Sequence, residues 1–133
     1  LLVLLNHLLT AEQERDVKIA FREQAVSYPP QELQEFWGNI SPDGPLPIER
    51  LSEITRWIAE CSATGEYVLV QGEPGATVYI VAFCIASGRI PIYSTTRREF
   101  SSVTLPDGSI QNQHVFRHVG FRRYQLPFDV ESQ

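Results

Sequence analysis

A chain of 133 residues is long enough for one domain with a buried core. Its 43% hydrophobic and 20% charged residues exclude a low-complexity or disordered composition, and a net charge of −5 argues against general affinity for long nucleic acid. No apolar run reaches a membrane span; the longest, Ala76 to Ala86, contains Thr77, Tyr79 and Cys84. The charge is uneven: residues 1–88 carry −7, residues 89–124 carry +4, and ten of the eleven basic residues are arginine. Arginine suits bidentate contacts to phosphate and is equally a common surface residue.

The apolar run Leu1 to Leu5 shows no alternation, as expected of a strand covered on both faces. It lacks the basic start and longer apolar stretch of a secretory leader, which predicts a cytoplasmic protein. Thr10-Ala11-Glu12-Gln13 has the spacing of a capping box and starts a helix to about Phe21. Gln24 to Tyr28 reads as a short strand stopped by Pro29-Pro30, and Gln31 to Asn39 as a second helix. Ser41 to Pro47, with three prolines and a glycine, is loop. Ile48 to Ala63 repeats apolar residues at helical spacing and ends before Gly65. Tyr67 to Gln71 is a strand, Gly72 to Gly75 a tight loop, Ala76 to Ser87 a helix, and Ile90 to Ser94 a further strand. The helix from Ala76 is apolar nearly all round, so it needs cover on more than one side, from its own subunit or a second one. Beyond Thr96, two strand-like arms flank Pro106-Asp107-Gly108-Ser109, a hairpin turn signal.

This order predicts a single α/β domain over residues 1–133: a Rossmann-like, mainly parallel sheet with helices on both faces. A C-terminal β-hairpin occupies about 97–124, and the tail from 125 to 133 is loose. If the first strand lies between the second and third, ligands bind beyond the strands' carboxyl ends at that switch point. Three segments then converge: Asn6-His7, Gln71 to Thr77, and Ser94 to Arg98.

The chemistry of those segments suits an anion. Gly72, Gly75, Ala76 and Thr77 sit where a strand meets a helix whose first N–H groups are free to bind phosphate. The segment is neither a Walker loop nor a dinucleotide fingerprint, and a plain βα turn with Glu73 on the helix dipole explains it equally. Ser94, Thr95, Thr96, Arg97 and Arg98 combine hydroxyls with two cations, as a phosphate clamp does; a solvated polar strand end reads the same way. His7 is a candidate acid or base, or a histidine that only bonds its loop. His114 and His118 fall on the hairpin, away from the three segments, and lack a third ligand, so no metal site is expected. Cys61 and Cys84 read as buried free thiols.

Four blocks together carry a resemblance: Val3 to Thr10, Tyr67 to Thr77, Ile90 to Arg97 and Val115 to Arg122. They resemble small CRISPR-associated proteins encoded beside type III systems, single-domain relatives of the CARF ligand-binding domains. The resemblance spans roughly residues 2–124. It implies a CARF-like homodimer that binds cyclic tetra-adenylate across its two-fold axis. It further implies ring-nuclease activity without metal or cofactor, in which a ribose 2′-OH attacks the neighbouring phosphodiester and antiviral signalling is switched off. On that reading Arg97 or Arg98 neutralises the scissile phosphate, His7 assists proton transfer, and Gly72, Gly75, Ala76 and Thr77 cradle phosphate or ribose. Asn6, Gln71, Thr95 and Thr96 position the ring, and Ser94 belongs to the same binding set.

A non-catalytic cyclic oligoadenylate binder, acting as sponge or sensor, uses the same clamp. A small phosphate-ester or nucleotide enzyme is a third reading, weakened by the missing Walker lysine and dinucleotide pattern. A purely structural interaction protein is the fourth; the polar strand ends argue against it.

Overall fold

A computed structural model describes residues 1–22 and 25–128. In chain order it contains β1 (Leu2–Leu4), α1 (Ala11–Ala20), α2 (Gln31–Gly38), α3 (Ile48–Cys61), β2 (Tyr67–Val70), α4 (Pro74–Ala86), β3 (Ile90–Thr104) and β4 (Ile110–Arg123). The sheet is mixed, in the order β1-β2-β3-β4, with parallel pairing from β1 to β3 and β4 antiparallel to β3. No helix among the described residues is long and apolar enough to cross a membrane.

The unbroken apolar run of β1 follows from cover on both faces. Leu2 and Leu4 join Trp37, Leu51, Ile54, Ile58, Val68 and Ile80 on one side. Leu1, Val3 and Leu5 join Leu9, Val17, Leu69 and Ile92 on the other. Successive side chains of a strand alternate between faces, so α1 covers one face while α2, α3 and α4 cover the other. Burial of such aliphatic side chains contributes roughly 1.5–3 kcal/mol each.

Local signals set the helix starts. Thr10 accepts from the Gln13 amide and Gln13 Oε1 accepts from Thr10 N at 2.9 Å, completing the capping box expected for α1. On α3, Leu51, Ile54, Trp57 and Ile58 form the buried stripe. The helix ends at Cys61, and Arg89 donates to Ser62 O at 2.8 Å, bracing the turn. Gly88 lies at φ +76° with Thr64 where a Cβ would stand, so a side chain there meets both strain and a clash. The apolar helix α4 is covered less than expected: Val78 and Ala82 are exposed. Cys84 is buried as expected, but Cys61 is exposed at the end of α3.

Two strand assignments change. Of the expected strand Gln24–Tyr28, Gln24 lies outside the described residues and the rest makes one parallel bridge, Ser27 to Leu2. Val3 N donates to Ser27 O at 2.9 Å and Ser27 N to Leu1 O at 3.0 Å. Pro29 and Pro30 follow at once and have no N–H to extend a ladder. β1 therefore lies between Ser27 and β2, which keeps the expected neighbours in reduced form.

The second change is larger. The expected strand Ile90–Ser94 and the first hairpin arm are one strand of 15 residues, paired with β4 from Ile92–Arg123 to Thr104–Ile110. The polar run Ser94 to Arg98 is thus not a loop at a strand end. The Pro-Asp-Gly turn is where expected: Gly108 has φ +86° and its N–H donates to Leu105 O at 2.9 Å. Asp107 accepts from Ser109 N and Oγ, which holds its carboxyl below the usual range. The register shifts once, at a bulge between Thr95 and Thr96.

Candidate functional site

Beyond the carboxyl ends of β1 and β2 lies a cleft of about 270 Å³, lined by Leu5, Asn6, His7, Gln13, Gln71, Gly72, Ser94 and Thr96. Two of the three expected segments reach it as strand-to-helix turns, and the third contributes from within β3. Thr95, Arg97, Arg98, Gly75, Ala76 and Thr77 do not line it.

Two hydrogen bonds at Gln71 fix the turn beside the cleft. The β2–β3 pairing ends at Leu69–Ile92, and the Gln71 carboxamide carries it one step further by accepting from Ser94 N at 2.9 Å. The backbone carbonyl of Gln71 accepts from Trp37 Nε1 at 3.0 Å, which ties the turn to the buried indole. Gly72 lies directly on that ring: a Cβ would stand 2.7 Å from Trp37 Cε2 and Nε1. The glycine is therefore required by packing on tryptophan, a different reason from the close backbone approach to a ligand expected of it. Gln13, buried by its place in the capping box, also faces the cleft, a role its capping pattern did not suggest.

His7 is exposed at the mouth, with Nδ1 2.5 Å from Leu8 O. A carbonyl only accepts, so Nδ1 donates and the neutral ring offers Nε2 as an acceptor. His118, set aside in the sequence reading, is the larger correction. Its Nδ1 lies 2.5 Å from Ser94 Oγ and its Nε2 2.7 Å from Asp16 Oδ2 of α1. Ser94 is 6% exposed, and so is the His118 side chain. A hydroxyl, an imidazole and a carboxylate from β3, β4 and α1 thus form one continuous chain whose hydroxyl end lines the cleft. The turn at Asp107-Gly108 holds the signal for it: pairing outward from that turn sets Thr96 against His118.

The expected anion cradle is occupied by the chain itself. Glu73 caps α4, its carboxylate accepting from Gly75 N and, at 3.3 Å, from Ala76 N. The positive end of the helix is thereby neutralised by a side chain. Ala76 is fully buried, and Thr77 Oγ1 is buried with no hydrogen-bond partner among the described residues. The expected phosphate role of Gly75, Ala76 and Thr77 is not what this geometry provides.

The arginines also lie elsewhere. Cross-strand partners share a face, so Thr96, His118, Arg98 and Phe116 lie on one side of the ribbon and Arg97 and Arg117 on the other. Arg98 Nε donates to His114 Nδ1 at 2.9 Å, two residues beyond Thr96. Arg117 pairs with Glu12 at 3.3 Å and Glu99 at 3.6 Å. Arg97 is exposed. Thr95 is committed to the bulge, its hydroxyl donating to Gly120 O at 3.2 Å.

Tyr124 fixes the far end of the ribbon. Its hydroxyl donates to Val70 O at 2.6 Å, at the foot of the Gln71 turn. Burial, with Tyr93 nearby, pushes its phenol up to about 12, so it remains a donor at neutral pH.

No solved structure matches the chain. Among curated proteins it is similar to "Uncharacterized protein MJ1673" of Methanocaldococcus jannaschii, with 38% identity over 122 residues covering 92% of this chain and 94% of that protein. The family described as "Uncharacterized protein MJ1673 family" matches residues 1–122, which include β3, all of β4 but Arg123 and every residue of the cleft. The chain belongs to the MJ1673 family.

Proposed function

We propose that the protein is a Rossmann-like, CARF-like domain that binds a cyclic oligoadenylate and opens it as a metal-independent ring nuclease of type III CRISPR defence. The observation that carries this reading is the polar cleft beyond β1 and β2, lined by His7, Asn6, Gln13, Gln71 and Ser94, with His118 bonded to Ser94. Ring opening by a ribose 2′-OH asks for little more than orientation, a proton acceptor and donors on the phosphate.

Size bears on the assembly. Pockets for drug-sized ligands run to roughly 300–1,000 Å³, so a cleft of about 270 Å³ suits one nucleotide unit. A four-nucleotide ring therefore calls for a second copy of the chain, with two clefts facing across an axis. The open apolar stripe of α4 at Val78 and Ala82 and the exposed apolar side chains of the outer ribbon offer surface for that contact. In this reading the homodimer works in the cytoplasm, with cyclic tetra-adenylate as its ligand and no cofactor.

A specific observation favours the second reading, a sponge or sensor that holds the ring intact. Arg97 and Arg98 stand outside the cleft, and Glu73 takes the N-terminus of α4, so a cation on the scissile phosphate is not among the cleft residues.

One incubation decides. Purified protein is mixed with cyclic tetra-adenylate and a chelator, and the products are separated by chromatography. Linear products ending in a 2′,3′-cyclic phosphate support the nuclease. An intact ring that co-elutes with the protein supports the sponge, and a ring neither bound nor cut overturns both.

A further inference from the structure

We propose that Asp16, His118 and Ser94 form a proton relay that makes the Ser94 hydroxyl the base of the cleft, acting on a ribonucleotide 2′-OH. The inference rests on the ring-opening reading above and assigns its proton acceptor.

The hydrogen-bond directions follow from donor chemistry. A carboxylate oxygen only accepts, so the 2.7 Å contact to Asp16 Oδ2 places a proton on His118 Nε2. The neutral imidazole then has a bare Nδ1. In that neutral form the 2.5 Å contact to Ser94 is the serine O–H donating to Nδ1. With its proton directed at His118, Ser94 Oγ presents lone pairs to the cleft it lines.

A purely structural network would explain that both ring nitrogens are bonded. His118–Asp16 ties β4 to α1, and burial demands that an imidazole be satisfied at both nitrogens. It does not explain why the chain of bonds ends on a hydroxyl at the wall of the polar cleft, beside Thr96 and Gln71. An anchor alone needs no open end.

The step balances without an added reactant. The 2′-OH gives its proton to Ser94 Oγ as the serine proton passes to His118 Nδ1. The O2′–P bond forms and the P–O5′ bond breaks. The departing O5′ takes a proton from water at the exposed His7 side, and the His118 imidazolium, held against Asp16, returns its extra proton to solvent. Ser94 is the catalytic residue; His118 and Asp16 are positioning residues.

The test is single-turnover conversion of cyclic tetra-adenylate by the full chain, with affinity for the same ring measured by calorimetry. Ser94→Ala and His118→Gln should each slow ring opening by about 100-fold or more while leaving Kd within about threefold. Ser94→Thr, which keeps a hydroxyl, should recover most of the rate. Asp16→Asn should move the pH–rate profile, which a merely structural contact would not. Ring opening at the wild-type rate in His118→Gln overturns the relay and leaves the nuclease reading standing. A wild-type protein that leaves the ring intact overturns both. Should His118→Gln fail to fold, long-range proton–nitrogen spectra of the wild-type protein decide: a proton on Nε2 is the expected result, and a neutral ring protonated on Nδ1 overturns the relay.

Discussion

The inner and outer halves of the β3–β4 ribbon obey different physics although the two strands run through both. From Ile90 to Thr96, β3 pairs with β2 as far as Ile92 and with β4 from Ile92 onward, and it buries Pro91, Ile92 and Ser94. From Arg97 to Thr104, and on β4 from Ile110 to Arg117, every residue is exposed, including Phe100 at 73%, Ile110 at 70% and Phe116 at 66%. A two-stranded hairpin standing alone in water is marginal. The outer half therefore takes its order from the turn, the ladder and its continuity with the sheet, whereas the inner half is held by burial. Chemistry is placed accordingly: Ser94 and His118 sit just inside the divide, and the basic residues Arg97, Arg98 and Arg117 just outside it.

The first way to sharpen this contrast uses the two thiols, one covered and one open. Burial pushes Cys84 from 9.0 up to about 12, which leaves it about a thousandfold less thiolate than an ordinary cysteine at neutral pH. A disulfide reagent should label exposed Cys61 quickly and Cys84 only on unfolding; two equally fast thiols would mean the sheet is less closed than described. Next, Ile92→Ala in the inner half should cost about 2–5 kcal/mol in a denaturant titration. A cost near zero would erase the distinction between the halves.

Gly72→Ala drives a methyl into the Trp37 indole and should cost about 1–3 kcal/mol, with a change in tryptophan fluorescence as the ring is displaced. Unchanged stability and emission would show that the turn does not rest on that ring. The pH dependence carries a defined sign. The folded Tyr124 phenol stands above its ordinary value of 10.0, at about 12, so its contribution is complete below pH 10 and is lost as pH rises through about 12. Absorbance of tyrosinate at 295 nm should show one late-titrating phenol, absent in Tyr124→Phe. The smallest effect belongs to the outer half: Phe116→Ser should change the stability of dilute protein by no more than about 0.5 kcal/mol. A larger loss that grows with protein concentration would reveal a second copy resting on that face.

Much of the fold is legible because its signals are local. The capping box at Thr10, the helical stripe from Leu51 to Ile58 and the Pro-Asp-Gly turn each depend on a few neighbouring residues. Asn6, His7, Gln71, Gly72, Ser94 and Thr96 were legible as the cleft because strand ends in parallel sheets face one side. The misreadings concern competition. Ser94 to Arg98 resembles a loop because polar residues mark loops and equally mark a strand whose faces look onto a cleft and onto water. The turn before α4 reads equally as an anion cradle and as a plain turn with Glu73 on the helix dipole, and the Glu73 carboxylate on the Gly75 and Ala76 amides favours the second. His118 needed a long-range pairing, legible only by counting outward from the turn.

The bulge between Thr95 and Thr96 separates two adjustable parts. On the sheet side it sets Ser94 against Phe121; on the arm side pairing follows the turn, from Thr96–His118 to Thr104–Ile110. Removing two residues from each strand beyond the bulge would shorten the arm by about 7 Å and preserve which face every remaining side chain takes. Arm length is therefore a free variable of this architecture: reach toward a neighbouring molecule can be tuned while the geometry around Ser94 stays fixed.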